Sequence, residues 1–280
     1  MSETRESDGE RRWWKEWLKQ RRVCQFDAAL VGGRSHQVYL RKLGFQGPVS
    51  YGYDVVDDTF FTTEVQRWRH PQHNATHQPH PYLLASNRFI SRKNLLRLIE
   101  AFALASESPT AHTKADLCLL GDGDQRQALE ELCRAKGLTV LQSAPWEEQA
   151  SASTAHSARV LFPGFRQIEE LPRFYAHALA LVHPAIAEPW GLVINEAMAA
   201  GLPILSSSNV GAAEELLDDG VNGYQFDATS TTSISLALSR FLALTHEQRQ
   251  QMGKMSERLL AARCPTLSFG KGLYPLLCEG

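Results

Sequence analysis

From residue 82 onward the chain alternates short, continuous apolar runs with longer amphipathic ones. That rhythm constrains the fold more than any other feature. "YLLASNR" reads as a strand, and "KNLLRLIEAFALA" as a helix with its apolar stripe at Leu95, Leu98, Ile99 and Phe102. "DLCLLGDG" is a strand and turn, "QRQALEELCRAKG" a helix closed by Gly137, "ARVLFPG" a strand and "IEELPRFYAHA" a helix. "LALVHP", the helix "WGLVINEAMAAG" closed by Gly201, "PILSSS", the helix "AAEELLDDG" and the edge strand "GYQFD" complete the series. Continuously apolar strands are buried on both faces, so the pattern predicts a parallel sheet covered by helices on each side. Ligands of such sheets sit at the carboxyl ends of the strands.

Upstream, "FDAALVGG", "RSHQVYLRKLG" and "GPVSYGYD" read as one more strand–helix–strand unit. The expected organisation has four parts: a partial N-terminal α/β domain over 1–66, a linker over 67–81, a Rossmann-like domain over 82–255 and a C-terminal segment over 256–280. The last is expected to pack back on the N-terminal part. The linker "RWRHPQHNATHQPHP" holds four histidines, yet no carboxylate or cysteine is interleaved and its prolines break up ligand geometry, so a solvated connection is expected rather than a metal site. Asn74-Ala75-Thr76 matches a glycosylation sequon, expected to stay unmodified without a secretory signal.

A net charge of −2 argues against nucleic acid as a partner. No apolar run approaches the ~20 residues of a membrane span. The polar start "MSETRESDGERR" lacks the apolar centre of a signal peptide. Cys24, Cys118, Cys133, Cys264 and Cys278 show no CxxC spacing, which points to reduced thiols and a cytoplasmic protein. "ERRWWKEWLKQRR", residues 10–22, is a basic helix with Trp13, Trp14 and Trp17. It reads either as a helix peripheral to a membrane surface or as one whose tryptophan face packs on the fold. Its short, narrow apolar face favours packing.

"EPWGLVINEAMAAGLP", residues 188–203, is the most informative stretch. It places Glu188 in a loop at the carboxyl edge of the sheet and Glu196 about one and a half turns into the next helix. The free N–H groups of Gly191, Leu192 and Val193 at that helix start, backed by the helix dipole, suit a phosphate. A carboxylate that accepts two hydrogen bonds suits the neighbouring hydroxyls of a sugar or ribose. "SNRFISRKN" sets Arg88 and Lys93 at the same edge, two cations able to neutralise a diphosphate leaving group. "FPGF" puts Gly164 and Phe165 at another strand end, where backbone could meet a base. "LLGDGDQRQAL" lacks both phosphate-loop patterns, so Gly121 and Gly123 read as turn glycines.

Together these motifs resemble the large retaining glycosyltransferase family called group 1 or family 4. Its hallmark is two glutamates separated by seven residues and followed by A-M-A-x-G-x-P, met here by Glu188 and Glu196. "NRFISRKN", "LLGDG", "FPGF" and "NVGAAEELLDDGVNGYQF" are similar in order and spacing, and "YGYDVVDDTFF" resembles the segment that leaves the first domain. The resemblance implies an α/β GT-B fold with a nucleotide-diphosphate sugar as donor in the second domain. It implies Glu188 on the donor sugar as the catalytic residue, Glu196 on the ribose, and Arg88 with Lys93 on the diphosphate. It also implies hexosyl transfer with retention, no metal and no other cofactor. The acceptor, whether sugar, glycan, lipid or small molecule, is left unspecified.

The resemblance further implies a first domain with the acceptor site and a histidine near the sugar. Such a domain takes about 100 residues or more. Only one strand–helix–strand unit precedes the linker, and its histidine, His36, lies on a different motif. The chain alone is therefore expected to bind donor but transfer poorly, and to self-associate or meet a partner chain through residues 10–61. The alternative is a non-catalytic nucleotide-sugar-binding module, or a truncated fragment that needs a partner. A Rossmann oxidoreductase is disfavoured by the missing dinucleotide fingerprint.

Overall fold

Two parallel sheets, one small and one large, organise the chain. The computed structural model describes residues 4–6, 12–72, 79–107, 113–147 and 158–278. The sequon Asn74-Ala75-Thr76 and two linker histidines, His73 and His77, lie outside the described residues.

The small unit comprises α1 (Trp13–Val23), β1 (Ala29–Val31), α2 (Arg34–Lys42) and β2 (Val49–Tyr51), with β1 and β2 paired in parallel. The expected packing of the α1 tryptophan face is not what forms. No residue of α1 is buried, and Trp13 is 83% exposed. The helix is attached by its polar side instead: the buried Tyr39 donates from its hydroxyl to Glu16 Oε2 at 2.7 Å and accepts from Lys19 Nζ at 3.0 Å.

Next comes α3 (Asp58–Arg69), a helix started by the Asp57 carboxylate, which accepts from the Phe60 N–H at 2.9 Å. It runs three residues into the expected linker. Its Phe61 and Val65 are buried in the core of the large unit. Thr62 Oγ1 donates to the carbonyl of Ala199 at 3.0 Å, and Arg69 to those of Ala176 and Ala200 at 3.1 and 2.9 Å. By packing, α3 belongs to the large unit, so the division at 66/67 cuts a helix. The sequence reading missed it because its apolar positions are few.

The large unit follows as β3 (Tyr82–Ser86), α4 (Leu95–Ser106), β4 (Asp116–Leu120), α5 (Arg126–Ala135), β5 (Thr139–Leu141) and β6 (Arg159–Gly164). Then come α6 (Leu171–His177), β7 (Ala178–His183), α7 (Leu192–Ala199), β8 (Ile204–Ser207), α8 (Gly211–Leu216) and β9 (Gly223–Phe226). The strand order is β5-β6-β4-β3-β7-β8-β9, all parallel. β5 is an edge strand the sequence reading did not anticipate, since its three residues are only half-buried. Alternate residues feed the two faces as the strand pleat requires. Tyr82 and Leu84 meet Ile194 and Phe61 on one face, while Leu83 and Ala85 meet Leu98, Ile99 and Phe102 on the other.

From β3 the chain builds toward β5, and from β7 it builds the opposite way toward β9. The β3–β7 junction is thus the topological switch point, where open parallel sheets leave a crevice for ligands.

The chain closes with α9 (Thr231–Leu242), α10 (His246–Arg263) and α11 (Ser268–Cys278). A capping box of Thr245 and Gln248 starts α10. The expected boundary at 255/256 falls inside this helix, between the buried Met252 and Leu260. α11 crosses back to the small unit, where Gly272 lies so close to β2 that a Cβ would stand 1.9 Å from the Tyr51 carbonyl. Among the described residues no helix is long and apolar enough to cross a membrane.

Candidate active site

The candidate residues collect at the switch point because the loops after β3 and β7 are tied together there. After β3 the chain makes one tight turn over Ser91–Lys93 and then takes a left-handed conformation at Asn94, with φ of 60°. Asparagine is among the few residues that tolerate this region. Asn94 Nδ2 donates to the carbonyls of Pro184 at 3.0 Å and Ala228 at 2.8 Å. The Ile186 N–H donates to the Arg92 carbonyl at 2.9 Å. These bonds bring Lys93 against Glu188. Both side chains are nearly buried, and Lys93 Nζ donates to Glu188 Oε2. Burial draws the lysine pKa below its ordinary value, while the Glu188 carboxylate opposes that shift. Arg88, in contrast, is exposed at the mouth of the crevice. The two cations of the motif therefore stand in different surroundings, one committed to Glu188 and one facing solvent.

The Glu188 loop is braced from its other side by α8. Glu188 forms an isolated parallel bridge with Val210. The N–H groups of Gly211 and Ala212 donate to the carbonyls of Glu188 at 3.1 Å and Trp190 at 2.9 Å. Trp190 Nε1 donates to Asn195 Oδ1 at 2.9 Å, which fixes the indole under the loop. Gly191 then turns the chain with φ of 99°, in the left-handed region that favours glycine. α7 starts at once. The N–H groups of Gly191, Leu192 and Val193 meet no acceptor among the described residues. They form the positive end of a buried helix.

Glu196 lies on α7 with its carboxylate partly shielded. The buried Tyr175 donates from its hydroxyl to Glu196 Oε2 at 2.7 Å. Burial raises the Glu196 pKa, and the tyrosine bond opposes the rise. The same burial and the neighbouring carboxylate push the Tyr175 hydroxyl well above its ordinary value, so it remains a donor. Gly164, with φ of 86°, ends β6 at the same sheet edge and has open space where a Cβ would point. Phe165 beside it is exposed.

Several residues here carry no signature that sequence reasoning used. Asn94, Asn195 and Gly211 hold the loops. His183, at the end of β7, is fully buried with neither ring nitrogen bonded. Burial, helped by Lys93, drops its pKa to about 3, so the ring is neutral. Arg5, from a stretch read only as polar, is buried with its guanidinium donating to the carbonyls of Glu188 and Asn209 at 2.6 Å each and to Glu214 Oε1 at 2.7 Å. His36 lies on a motif unrelated to the site, yet its ring packs 6.1 Å from that of Trp190. Asn94 alone left a hint, as a residue suited to left-handed turns directly before an amphipathic helix. Among the described residues, no group of three or more His, Cys, Asp or Glu side chains could hold a metal ion.

Comparisons with known proteins bear on the family and the fold of the chain. The sequence profile described as "Glycosyl transferases group 1" matches residues 80–243. An uncharacterised glycosyltransferase of Methanocaldococcus jannaschii is 31% identical over 155 residues, covering 55% of this chain and 35% of that protein. Sucrose-phosphate synthase 4 of Arabidopsis thaliana is 29% identical over 174 residues, covering 60% of this chain and 16% of its own length. The lipopolysaccharide core glycosyltransferase LpsE of Rhizobium meliloti is 29% identical over 163 residues, covering 58% of this chain and 40% of that protein. The chain thus spans well under half the length of these curated relatives.

Among solved structures, sucrose-phosphate synthase of Thermosynechococcus elongatus superposes with a TM-score of 0.74 at 21% identity, over 97% of this chain and 63% of that one. Anabaena HepE, in complex with UDP and glucose, superposes with a TM-score of 0.70 at 17% identity, over 95% of this chain and 67% of that one. At such identities the likeness speaks to fold, and the fold is that of the GT-B glycosyltransferases. With the profile match spanning both glutamates and the Arg88–Lys93 turn, the chain belongs to the group 1 glycosyl transferases.

Proposed function

We propose that the chain binds a nucleotide-diphosphate sugar at the β3–β7 crevice and transfers its hexosyl group to an acceptor hydroxyl with retention of configuration. The observation that carries this reading is the unsatisfied start of α7, bracketed by Arg88 and Glu188 at the switch point. The three free N–H groups and the Arg88 guanidinium receive the diphosphate and stabilise the charge that grows on it as it leaves. Lys93 acts with them while it holds Glu188. Glu188 contacts the donor sugar as the catalytic carboxylate, and Glu196, oriented by Tyr175, takes the ribose hydroxyls. The backbone at Gly164 and Phe165 faces the base. HepE, whose structures contain UDP or UDP-glucose, supports this choice of donor class. The five free cysteines support a reducing, cytoplasmic setting.

A thermal-shift panel of UDP-, GDP- and ADP-sugars tests the reading, because a ligand that binds only the folded state raises its stability. No shift with any of them would remove it. Arg88→Ala is expected to weaken donor binding by about 1.5–3 kcal/mol, the worth of a charge-assisted hydrogen bond. Unchanged affinity by titration calorimetry would take Arg88 out of the site. No metal or other cofactor is needed in this scheme, since the helix start and the two cations supply the neutralising charge. Binding is therefore expected to survive excess EDTA, and its loss with recovery in manganese or magnesium would reverse that assignment.

A second reading is favoured by the small unit, whose sheet has two strands among the described residues. On it, the chain is a donor-binding module that needs a partner for transfer. The exposed Trp13, Trp14 and Trp17 of α1 are the surface we assign to self-association or to a partner chain. Robust transfer by a strict monomer, measured with an acceptor panel alongside light scattering, would dismiss this second reading.

A further inference from the structure

The loop that carries Glu188 is joined to the turn ahead of α8 by an isolated bridge between Glu188 and Val210. Two backbone bonds form that bridge. The Glu188 N–H donates to the Asn209 carbonyl at 3.3 Å, and the Gly211 N–H donates to the Glu188 carbonyl at 3.1 Å. The bridge lies outside the named strands, so no regular ladder holds it in place.

Arg5 acts on both acceptors of the bridge. Its Nη2 donates to the Glu188 and Asn209 carbonyls at 2.6 Å each. A carbonyl oxygen has two lone pairs, so each keeps its backbone bond and gains a second. Nη1 donates to Glu214 Oε1 at 2.7 Å, in the first turn of α8. One planar guanidinium thus clamps the Glu188 loop, the Asn209 turn and α8 together. Bonds from a charged donor are roughly twice as strong as neutral ones. Arg5 is only 1% exposed. Burying a cation is costly unless its charge is paired and its donors are used, and Glu214 and the two carbonyls meet both conditions. Glu6, the next residue, accepts from Lys42 Nζ on α2. The same short N-terminal segment therefore touches both units.

We infer that Arg5 is a positioning residue for the Glu188 carboxylate, and that it serves the sugar end of the donor rather than the diphosphate end. The inference rests on the donor reading given above. Its bonds end on the backbone of Glu188 itself and on the two segments that brace that loop. The diphosphate groups hang elsewhere. Arg88 follows β3, and the free N–H groups of α7 begin at the left-handed turn of Gly191. Losing the clamp loosens the carboxylate that meets the sugar while the cations and the helix start stay in place.

Titration calorimetry on the full chain compares each nucleotide sugar with its own free nucleotide: UDP-glucose with UDP, GDP-glucose with GDP and ADP-glucose with ADP. For the pair that the parent binds, Arg5→Ala is expected to weaken the nucleotide sugar by about tenfold, the effect of about one charge-assisted bond. The free nucleotide is expected to lose less than about twofold. Arg5→Lys keeps the charge but loses the planar fork, so it should recover part of the sugar affinity. A side chain that only held the fold together would lower both affinities alike. Equal losses on the two ligands, or no loss on either, overturn the assignment. If Arg5→Ala does not fold, Arg5→Lys carries the comparison: a smaller loss confined to the nucleotide sugar is expected, and equal or absent losses again overturn it. If the parent binds none of the nucleotide sugars, the donor reading fails and the role of Arg5 falls with it. If the parent binds one and Arg5→Ala matches it on both ligands, the donor reading stands and the role of Arg5 alone fails.

Discussion

Lys93→Met is expected to lower folding stability by about 3 kcal/mol, because it leaves the Glu188 carboxylate nearly buried without its cation. A long apolar side chain fills the lysine stem's place, so the loss is electrostatic rather than a cavity. Donor affinity should fall with it, since the carboxylate loses the bond that holds it at the crevice. The double variant Lys93→Met with Glu188→Gln removes both charges and should recover most of the stability while transfer stays absent. Urea denaturation reads the first effect and calorimetry with the bound nucleotide sugar the second. If Lys93→Met and the double variant unfold at the same urea concentration as the parent, the pair is not what holds the loop.

Gly211→Ala should be nearly as harmful to binding, for a steric reason. A Cβ at Gly211 would stand 2.0 Å from the Pro189 carbonyl oxygen and 3.2 Å from the Trp190 Cα. Both are backbone atoms, so no rotamer change relieves the clash. The segment from Glu188 to Trp190 must move, and the start of α7 moves with it. We expect donor affinity to drop, and transfer to slow by about a hundredfold, the scale of a misplacement near 1 Å of positioned reactants, at a stability cost of about 1–3 kcal/mol. Gly137→Ala, outside the site, is the control. Its φ of 73° strains any side chain, but nothing lies within 4 Å of the new Cβ. That variant should lose about 1 kcal/mol of stability, from the backbone alone, with far less effect on affinity. Comparable affinity losses in the two variants would refute the bracing role of α8.

The parts of this molecule that were legible in sequence are those written in local pattern. β3, β4, β6 and β7 carry continuous apolar runs, and α4 keeps its stripe over three turns, so the parallel sheet and its helical cover could be read directly. Glu188, Gly191 and Glu196 were legible because a strand end, a glycine and a helix start fix their places relative to one another. What stayed hidden depends on contacts between distant segments. The strand order, and with it the switch point, is a property of pairing. Arg5 reaches the Glu188 carbonyl across 183 residues of chain. Asn195 and Tyr175 look like ordinary core-facing residues until their partners are known. The tryptophans of α1 misled because apolar content suggests burial, while the helix found its attachment through Glu16, Lys19 and Tyr39.

The return of α11 to the small unit has a mechanical consequence. From α1 onward the chain passes between the units twice, once ahead of α3 and once between α10 and α11. The two crossings are stitched to each other: the Asp58 N–H donates to Thr266 Oγ1 at 3.2 Å, the Thr266 N–H to Asp58 Oδ2 at 3.1 Å, and Thr266 Oγ1 to the Val56 carbonyl at 2.7 Å. Two connections pinned side by side behave as the knuckle of a hinge. Sliding and twisting between the units are resisted there, and a swing about that line has to break the bond from the Arg34 N–H to Glu215 Oε1 across the gap, 2.7 Å long. Such a swing carries Gly33 and Arg34 toward or away from α8, so one angular coordinate sets the width of the gap between the units.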